Sequence, residues 1–237
     1  MEEIIRAGLR EMGLEGRVPP DAPEKLALYG RLLLEKNQVM NLTAITQPDQ
    51  VARLHMLDCA ALLPCCDFRN KSLIDVGTGA GFPGLVLKIL VPSLQVCLLD
   101  GLAKRLDWLG EVCRQLELED VVRLHGRAEE QALRPEHRDR YDIATARAVA
   151  ELRVLCEMCL PYVRVGGLFL AMKGPGCGGE VEGAAHALTT MGGEVEDCRD
   201  YAVPGAPVSH RVVRIRKTSP TPSGYPRRWA RIQKAPL

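Results

Sequence analysis

Long apolar runs are missing from this sequence. No stretch approaches the roughly 18 residues that mark a membrane span, and the N-terminus, MEEIIRAGLREMG, has charges among its apolar positions and no signal-peptide core. The expected location is therefore the cytoplasm, with no membrane partner. Aromatic residues are scarce, 4% of the total, which argues against a broad base-stacking platform. Cysteine is plentiful, but its nine copies are an odd number in a chain that is no small secreted scaffold. Cys156 and Cys159 form half of a zinc-site pattern with no second C-x-x-C, both fall within a helical pattern, and no metal is expected. Reduced cysteines acting as small hydrophobes are the simpler reading, with Cys65-Cys66 a loop-edge pair. There is no internal repeat.

What is present suits a globular α/β chain. Hydrophobic residues make up 46% of 237, enough for a sizeable core. The net charge of +1 is unevenly spread: from His210 to Leu237 there are eight Lys/Arg and no acid, which leaves 23 Lys/Arg against 30 Asp/Glu elsewhere. A basic tail on an acidic body fits a polyanionic partner, nucleic acid first. A solvated tail with no partner fits the charge equally well.

Residues 1–68 read as a helical extension packed on the core. Leu26, Tyr29 and Leu33 share one helical face, a second helix runs from Gln50 to Leu63, and Asn41-Leu-Thr-Ala-Ile45 lies between them. Residues 69–217 alternate strands with helices. Ser72–Val76, Leu94–Asp100, Val121–Leu124, Tyr141–Thr145 and Gly167–Lys173 read as strands. Helices are expected over Pro83–Leu90, along Leu102, Leu106, Leu109, Cys113 and Leu116, along Val149, Leu152, Cys156 and Cys159, and over Gly179–Met191. Two late strands, Glu194–Val203 and Ser209–Lys217, close the sheet, and residues 218–237 form the basic tail. This order predicts a doubly wound, mainly parallel sheet with helices on both faces.

The informative turn is Ile74-Asp75-Val76-Gly77-Thr78-Gly79-Ala80-Gly81-Phe82-Pro83-Gly84. Glycines after a first strand let a ligand approach the backbone. Gly79, Gly81 and Gly84 match G-x-G-x-x-G, with Asp100 21 residues beyond Gly79, as in a nicotinamide-dinucleotide fingerprint. Read from Gly77, however, Phe82 stands where the third glycine belongs. Asp75 at the strand tip would repel a pyrophosphate and suit the sulfonium and ammonium of S-adenosylmethionine, and Asp100 suits ribose hydroxyls in either case. The methyl donor is the favoured ligand, with an NAD-dependent oxidoreductase as the enzyme alternative.

With these segments in view, the sequence resembles the RsmG (GidB) family of bacterial small-subunit rRNA guanine-N7 methyltransferases. The resemblance runs along nearly the whole chain. It covers Asn41–Ile45, His55-Met-Leu-Asp58, Asp75–Gly84, Leu99-Asp100 with Lys104-Arg105, Gly126-Arg-Ala-Glu129, Ala146-Arg-Ala148 and Met172-Lys-Gly174. It implies a Rossmann-like class I methyltransferase fold. It also implies roles: Gly77, Gly79 and Phe82 lining the donor pocket, Asp100 on the ribose, Ala128 and Glu129 beside the adenine, Arg147 at the donor site and Lys173 at the rim facing RNA. The implied reaction moves a methyl group to guanine N7 in 16S rRNA, with the rRNA or the small ribosomal subunit as partner. Gly101 stands where the family usually has serine. The tail, with Arg227, Arg228, Arg231 and Lys234, resembles the family's basic ending, although Trp229 is unusual in it; these cations are expected to serve RNA affinity and not donor affinity.

Simpler roles exist for several of these residues. His55 and Asp58, three apart on a helix, read as a structural pair, and no catalytic residue is assigned. Glu129 suits a helix N-terminus on macrodipole grounds alone. Asp75 suits a buried, hydrogen-bonded acid that still faces the donor's ammonium. Arg147 suits a strand-end ion pair; the resemblance, not its charge, places it at the donor. Arg127 fits an RNA contact or an ion pair with Glu130. A non-catalytic rRNA-binding assembly factor is the binding alternative, and nothing in the sequence indicates an obligate protein partner. An Asn-Pro-Pro-Tyr-type motif, suited to exocyclic amine methylation, is absent.

Overall fold

The computed structural model describes residues 1–147, 150–174 and 176–237. Seven strands form one sheet in the order β3-β2-β1-β4-β5-β7-β6. They are β1 (Ser72–Val76), β2 (Gln95–Asp100), β3 (Val121–His125), β4 (Tyr141–Arg147), β5 (Val163–Lys173), β6 (Gly193–Ala202) and β7 (Ser209–Lys217). The first five run parallel, and β7 is antiparallel to both β5 and β6. The strand order reverses between β1 and β4, which opens a crevice beyond their carboxyl ends, the usual ligand site of such sheets.

Alternation along β1 sorts its side chains between two cores. Leu73 joins the cluster that holds Ile5, Leu9, Leu26, Tyr29, Leu33, Met56, Leu57, Val86 and Leu109. Ile74 and Val76 face the other side, with Leu155, Tyr162, Phe169, Ile215 and Ile232. The N-terminal helices thus share the core on one face of the sheet, and Ile232 of the tail is buried in the core on the other. Cys156 and Cys159 are fully buried in this second core.

Several boundaries differ from the sequence reading. β5 starts at Val163, before the Gly166-Gly167 pair, because a bulge between Tyr141 and Ile143 lets the strand pair through it. The helix expected over Gly179–Met191 is two helices, Gly178–Gly183 and Ala185–Met191, joined at Ala184. The second N-terminal helix comprises Pro48–Val51, a π-helical stretch over Ala52–Leu57, and Asp58–Ala60. Leu102 precedes the helix Ala103–Gln115 and is 46% exposed, so it is not part of that helix's buried stripe. Val149, expected at the start of a helix, and Ala148, the last residue of the Ala146–Ala148 motif, lie outside the described residues; the helix that follows is Leu152–Cys159. Among the described residues no helix is long and apolar enough to cross a membrane.

Candidate active site

A cavity of about 960 Å³ occupies the crevice at the carboxyl ends of the parallel strands. One half is built by the turns after β1, β2 and β3. Gly77, Gly79 and Gly81 have φ of 70°, 58° and 89°, a region closed to most side chains. Gly77 and Thr78 donate their N–H groups to the Leu99 carbonyl, which bends the turn back toward β2. Tyr29, fully buried, donates its hydroxyl to the Ala80 carbonyl, so an N-terminal helix holds the turn from outside.

Asp100 ends β2 with its carboxylate at the cavity wall. Oδ2 accepts from Gly79 N–H at 2.9 Å and Oδ1 from Leu102 N–H at 2.8 Å. Oδ2 also lies 3.4 Å from Arg105 Nη1, so Oδ1 is the oxygen that keeps a lone pair for a further donor. After β3, Glu129 is 4% exposed; Oε1 lies 3.4 Å from Arg127 Nε, and Oε2 is buried without a hydrogen-bond partner among the described residues. A buried carboxylate oxygen lacking a donor is costly unless a ligand supplies one.

The other half brings together residues that lie far apart in the chain. Arg147, at the end of β4, donates Nη1 to Asp58 Oδ2 and to the Leu54 carbonyl, both at 3.1 Å, and Nη2 to His55 Nδ1 at 3.1 Å. Asp58 Oδ1 accepts from Tyr201 at 2.8 Å and from His210 Nδ1 at 2.7 Å. Burial alone would raise the Asp58 pKa, but the His210 hydrogen bond, the Arg147 charge and the Tyr201 hydroxyl outweigh it and hold the carboxyl below its usual value. The Asp58 carboxylate in turn raises the pKa of His210.

His55 is held neutral. Burial and the nearby Arg147 charge push its pKa down to about 3. A guanidinium only donates, so Nδ1 must accept and the proton resides on Nε2. Nε2–H then points to Thr43 Oγ1 at 2.8 Å, which also accepts from Ile45 N–H at 3.0 Å. With both lone pairs engaged, the Thr43 hydroxyl is left as a donor, and Thr43 lines the cavity. Asn37 fixes this loop by accepting from Leu42 and Thr43 N–H and donating to the Thr43 carbonyl. The Phe82 ring stacks on His55 at 4.6 Å and lies under the Arg147 guanidinium at 4.9 Å.

The residues matched by the rRNA small subunit methyltransferase G family run from 22 to 203. The chain belongs to that family. A ribosomal RNA small subunit methyltransferase G from Acetivibrio thermocellus is 43% identical over 235 residues, covering 97% of each chain. Another from Alkaliphilus metalliredigens is 42% identical and covers 99% of this chain and 98% of its own. Solved structures share the fold: an O-methyltransferase from Thermotoga maritima, at 16% identity, covers 81% of this chain and 73% of its own with a TM-score of 0.53. TrmN from Thermus thermophilus, at 21% identity, covers 67% of this chain and 48% of its own with a TM-score of 0.52. The fold is thus the Rossmann-like class I methyltransferase fold.

In this member of the methyltransferase G family, Gly77, Gly79, Phe82, Asp100, Ala128, Glu129, Arg147 and Lys173 all line the cavity. Asp75 does not. It is fully buried beneath the turn, where Oδ2 accepts from Thr78 Oγ1 at 2.6 Å and Gly84 N–H at 3.0 Å, and Oδ1 from Thr145 Oγ1 at 3.2 Å. Its role is to pin the turn, and the expected direct contact with the donor is corrected. Lys173 Nζ is bound to Glu180 at 2.6 Å and to the Ala150 carbonyl at 2.9 Å.

Arg227 is a second correction. Its N–H and Nε both donate to Glu157 Oε1 at 2.8 Å and its Nη2 to Oε2 at 2.6 Å, with the Glu157 side chain 1% exposed. It anchors the tail and is not free to meet a phosphate, whereas Arg228, Arg231 and Lys234 are exposed. Sequence reasoning did not assign Thr43, His55, Asp58, Tyr201, His210 or Trp229 to the cavity, yet all six line it. The signal available for the first three was their presence in the Asn41–Ile45 and His55–Asp58 segments of the resemblance.

Proposed function

We propose that this protein transfers the methyl group of S-adenosylmethionine to N7 of a guanine in 16S rRNA of the small ribosomal subunit, acting in the cytoplasm. The observation that carries the reading is the two-sided cavity in a chain of this family: a donor half with two carboxylate acceptors, and a second half in which His55 is engaged through both ring nitrogens. In the donor half, Asp100 would hold ribose hydroxyls, and the orphaned Glu129 Oε2 would accept from the adenine amino group. S-adenosylmethionine supplies, when bound, a sulfonium methyl that is already an activated electrophile.

Guanine N7 has an in-plane lone pair and no proton to lose, so the residues need only position the base and tolerate moving positive charge. The second half fits this demand. His55 has Nδ1 engaged by Arg147 and its proton on Thr43, and so cannot act as a base. The Thr43 hydroxyl is a donor suited to guanine O6, the acceptor beside N7. The exposed Arg228, Arg231 and Lys234 would neutralise phosphates. Family membership, and not repulsion by Asp75, decides against the nicotinamide alternative, because Asp75 lies below the turn.

Incubation with labelled S-adenosylmethionine and small subunits from a strain lacking this protein, followed by nucleoside mapping, tests the reading. The expected product is 7-methylguanosine in 16S rRNA. Label in no rRNA nucleoside would leave the assembly-factor reading standing instead.

A further inference from the structure

The C-terminal tail reaches the donor half of the cavity. Trp229, the first residue of the helix Trp229–Lys234, lines the cavity with Gly126, Arg127, Ala128 and Glu129. We propose that Trp229 forms the outer wall of the subsite for the donor's adenine, which makes the tail a donor-binding element. The proposal rests on the S-adenosylmethionine reading above.

Position comes first. The acceptor that suits an adenine amino group is the unpartnered Glu129 Oε2, and Trp229 bounds the cavity beside that residue. A purine whose amino group meets Glu129 needs apolar surface along its ring, and an indole provides more of it than any other side chain.

Fixation comes next. A wall that swings freely adds little, because ordering it on binding costs entropy. Trp229 is held on both sides. Two residues before it, Arg227 is locked to Glu157, and three residues after it, Ile232 is fully buried. Further upstream, Arg138 donates to the Tyr225 and Thr221 carbonyls, both at 2.8 Å. The Arg127 guanidinium lies 5.2 Å from the indole centroid and 3.4 Å from Glu129, tying the wall to the acceptor it stands beside. Such preorganisation lets stacking appear as affinity.

Calorimetry with S-adenosylhomocysteine and with methylthioadenosine, which keeps the adenosine and loses the amino-acid end, tests the proposal on intact wild-type, Trp229→Ala and Trp229→Phe proteins. Removing one base–aromatic stack should weaken both ligands in Trp229→Ala by roughly 5- to 150-fold. Trp229→Phe should recover most of it. A purely structural role for Trp229 would instead lower Tm in step with affinity. In a Trp108→Phe background Trp229 is the remaining tryptophan, and S-adenosylhomocysteine should change its emission. A folded Trp229→Ala protein with wild-type affinity, or ligand binding that leaves Trp229 emission unaltered, overturns the proposal alone. A wild-type protein that binds neither ligand overturns the donor reading and the proposal with it.

Discussion

The two halves of the cavity are built differently. The donor half comes from short contiguous segments, Gly77–Ala80, Asp100–Leu102 and Gly126–Glu129, each at the carboxyl end of one parallel strand. Its ligand groups are backbone turns and two carboxylates with unused acceptor capacity. The second half draws on the loop at Thr43, the π-helical stretch with His55, the end of β4 and the β6–β7 hairpin. Its charged groups bind one another: Asp58 receives Arg147, Tyr201 and His210. The donor half is open to a ligand, while the second half is first of all a clamp between the N-terminal helices and the far edge of the sheet. Mutations should therefore damage binding in the first and stability in the second.

The largest effect is expected at Asp58. Asp58→Ala leaves Arg147 buried without its carboxylate, a loss of about 3–5 kcal/mol for a broken buried pair. Urea denaturation of the wild type and variant measures it. The contrast between the halves breaks if Asp58→Ala keeps wild-type stability and loses donor affinity.

Asp100→Ala should show the opposite pattern. Two hydrogen bonds to a charged acceptor would disappear, each about 1.5–3 kcal/mol, which with partial replacement by water gives roughly 10- to 1,000-fold weaker S-adenosylhomocysteine binding. Calorimetry on the folded variant reads it directly. An unchanged Kd would remove Asp100 from the donor site.

The same contrast separates what the sequence could reveal from what it could not. The parallel core was legible because alternating strands and helices repeat at fixed periods, and the donor half because its groups lie within a few residues of each other. Asp58 meets Tyr201 and His210 across separations of 143 and 152 residues, and no local pattern encodes such a meeting. Asp75 is the buried, hydrogen-bonded acid the sequence suggested, but it does not also face the donor: it alternates with Ile74 and shares the face of Leu73, so it points under the helix Gly84–Leu90 and not toward the crevice. Trp229 has no periodic context at all, and only the fold brings it back to the turn after β3.

The tail tests this distinction within one short segment. Replacing Arg228, Arg231 and Lys234 by alanine should weaken RNA binding and lower its log–log salt slope by about 0.7–0.9 for each phosphate no longer neutralised. Stability should barely change, since all three are exposed. Arg227→Ala should instead lower stability by stranding the buried Glu157 carboxylate. Filter binding across a salt series, beside thermal melts of both variants, checks the pair. Equal salt slopes for the wild type and the triple variant would mean that the tail does not meet the RNA.

The effect at Asp75 is confined to a pH window, and it needs its sign worked out. Burial pushes the Asp75 carboxyl up to about 6 from the ordinary 3.8, although hydrogen bonds from Thr78, Gly84 and Thr145 pull the other way. A raised folded-state pKa means that the folded protein holds the proton more tightly than the unfolded chain. Asp75 therefore adds stability that is full below about 3.8 and is lost as pH rises through about 6. His55 works against it: its pKa is pushed down to about 3 from 6.5, so its contribution is present above 6.5 and lost as pH falls toward 3. The wild-type melting curve mixes the two, and a substitution at Asp75 separates them. An asparagine in its place would keep an acceptor for Gly84 N–H and carry no titrating group, so the Tm of Asp75→Asn relative to wild type should rise between about pH 4 and pH 7. If the difference stays flat over that range, Asp75 is ionised throughout, and its three donors hold the turn as a charged acceptor and not as a neutral one.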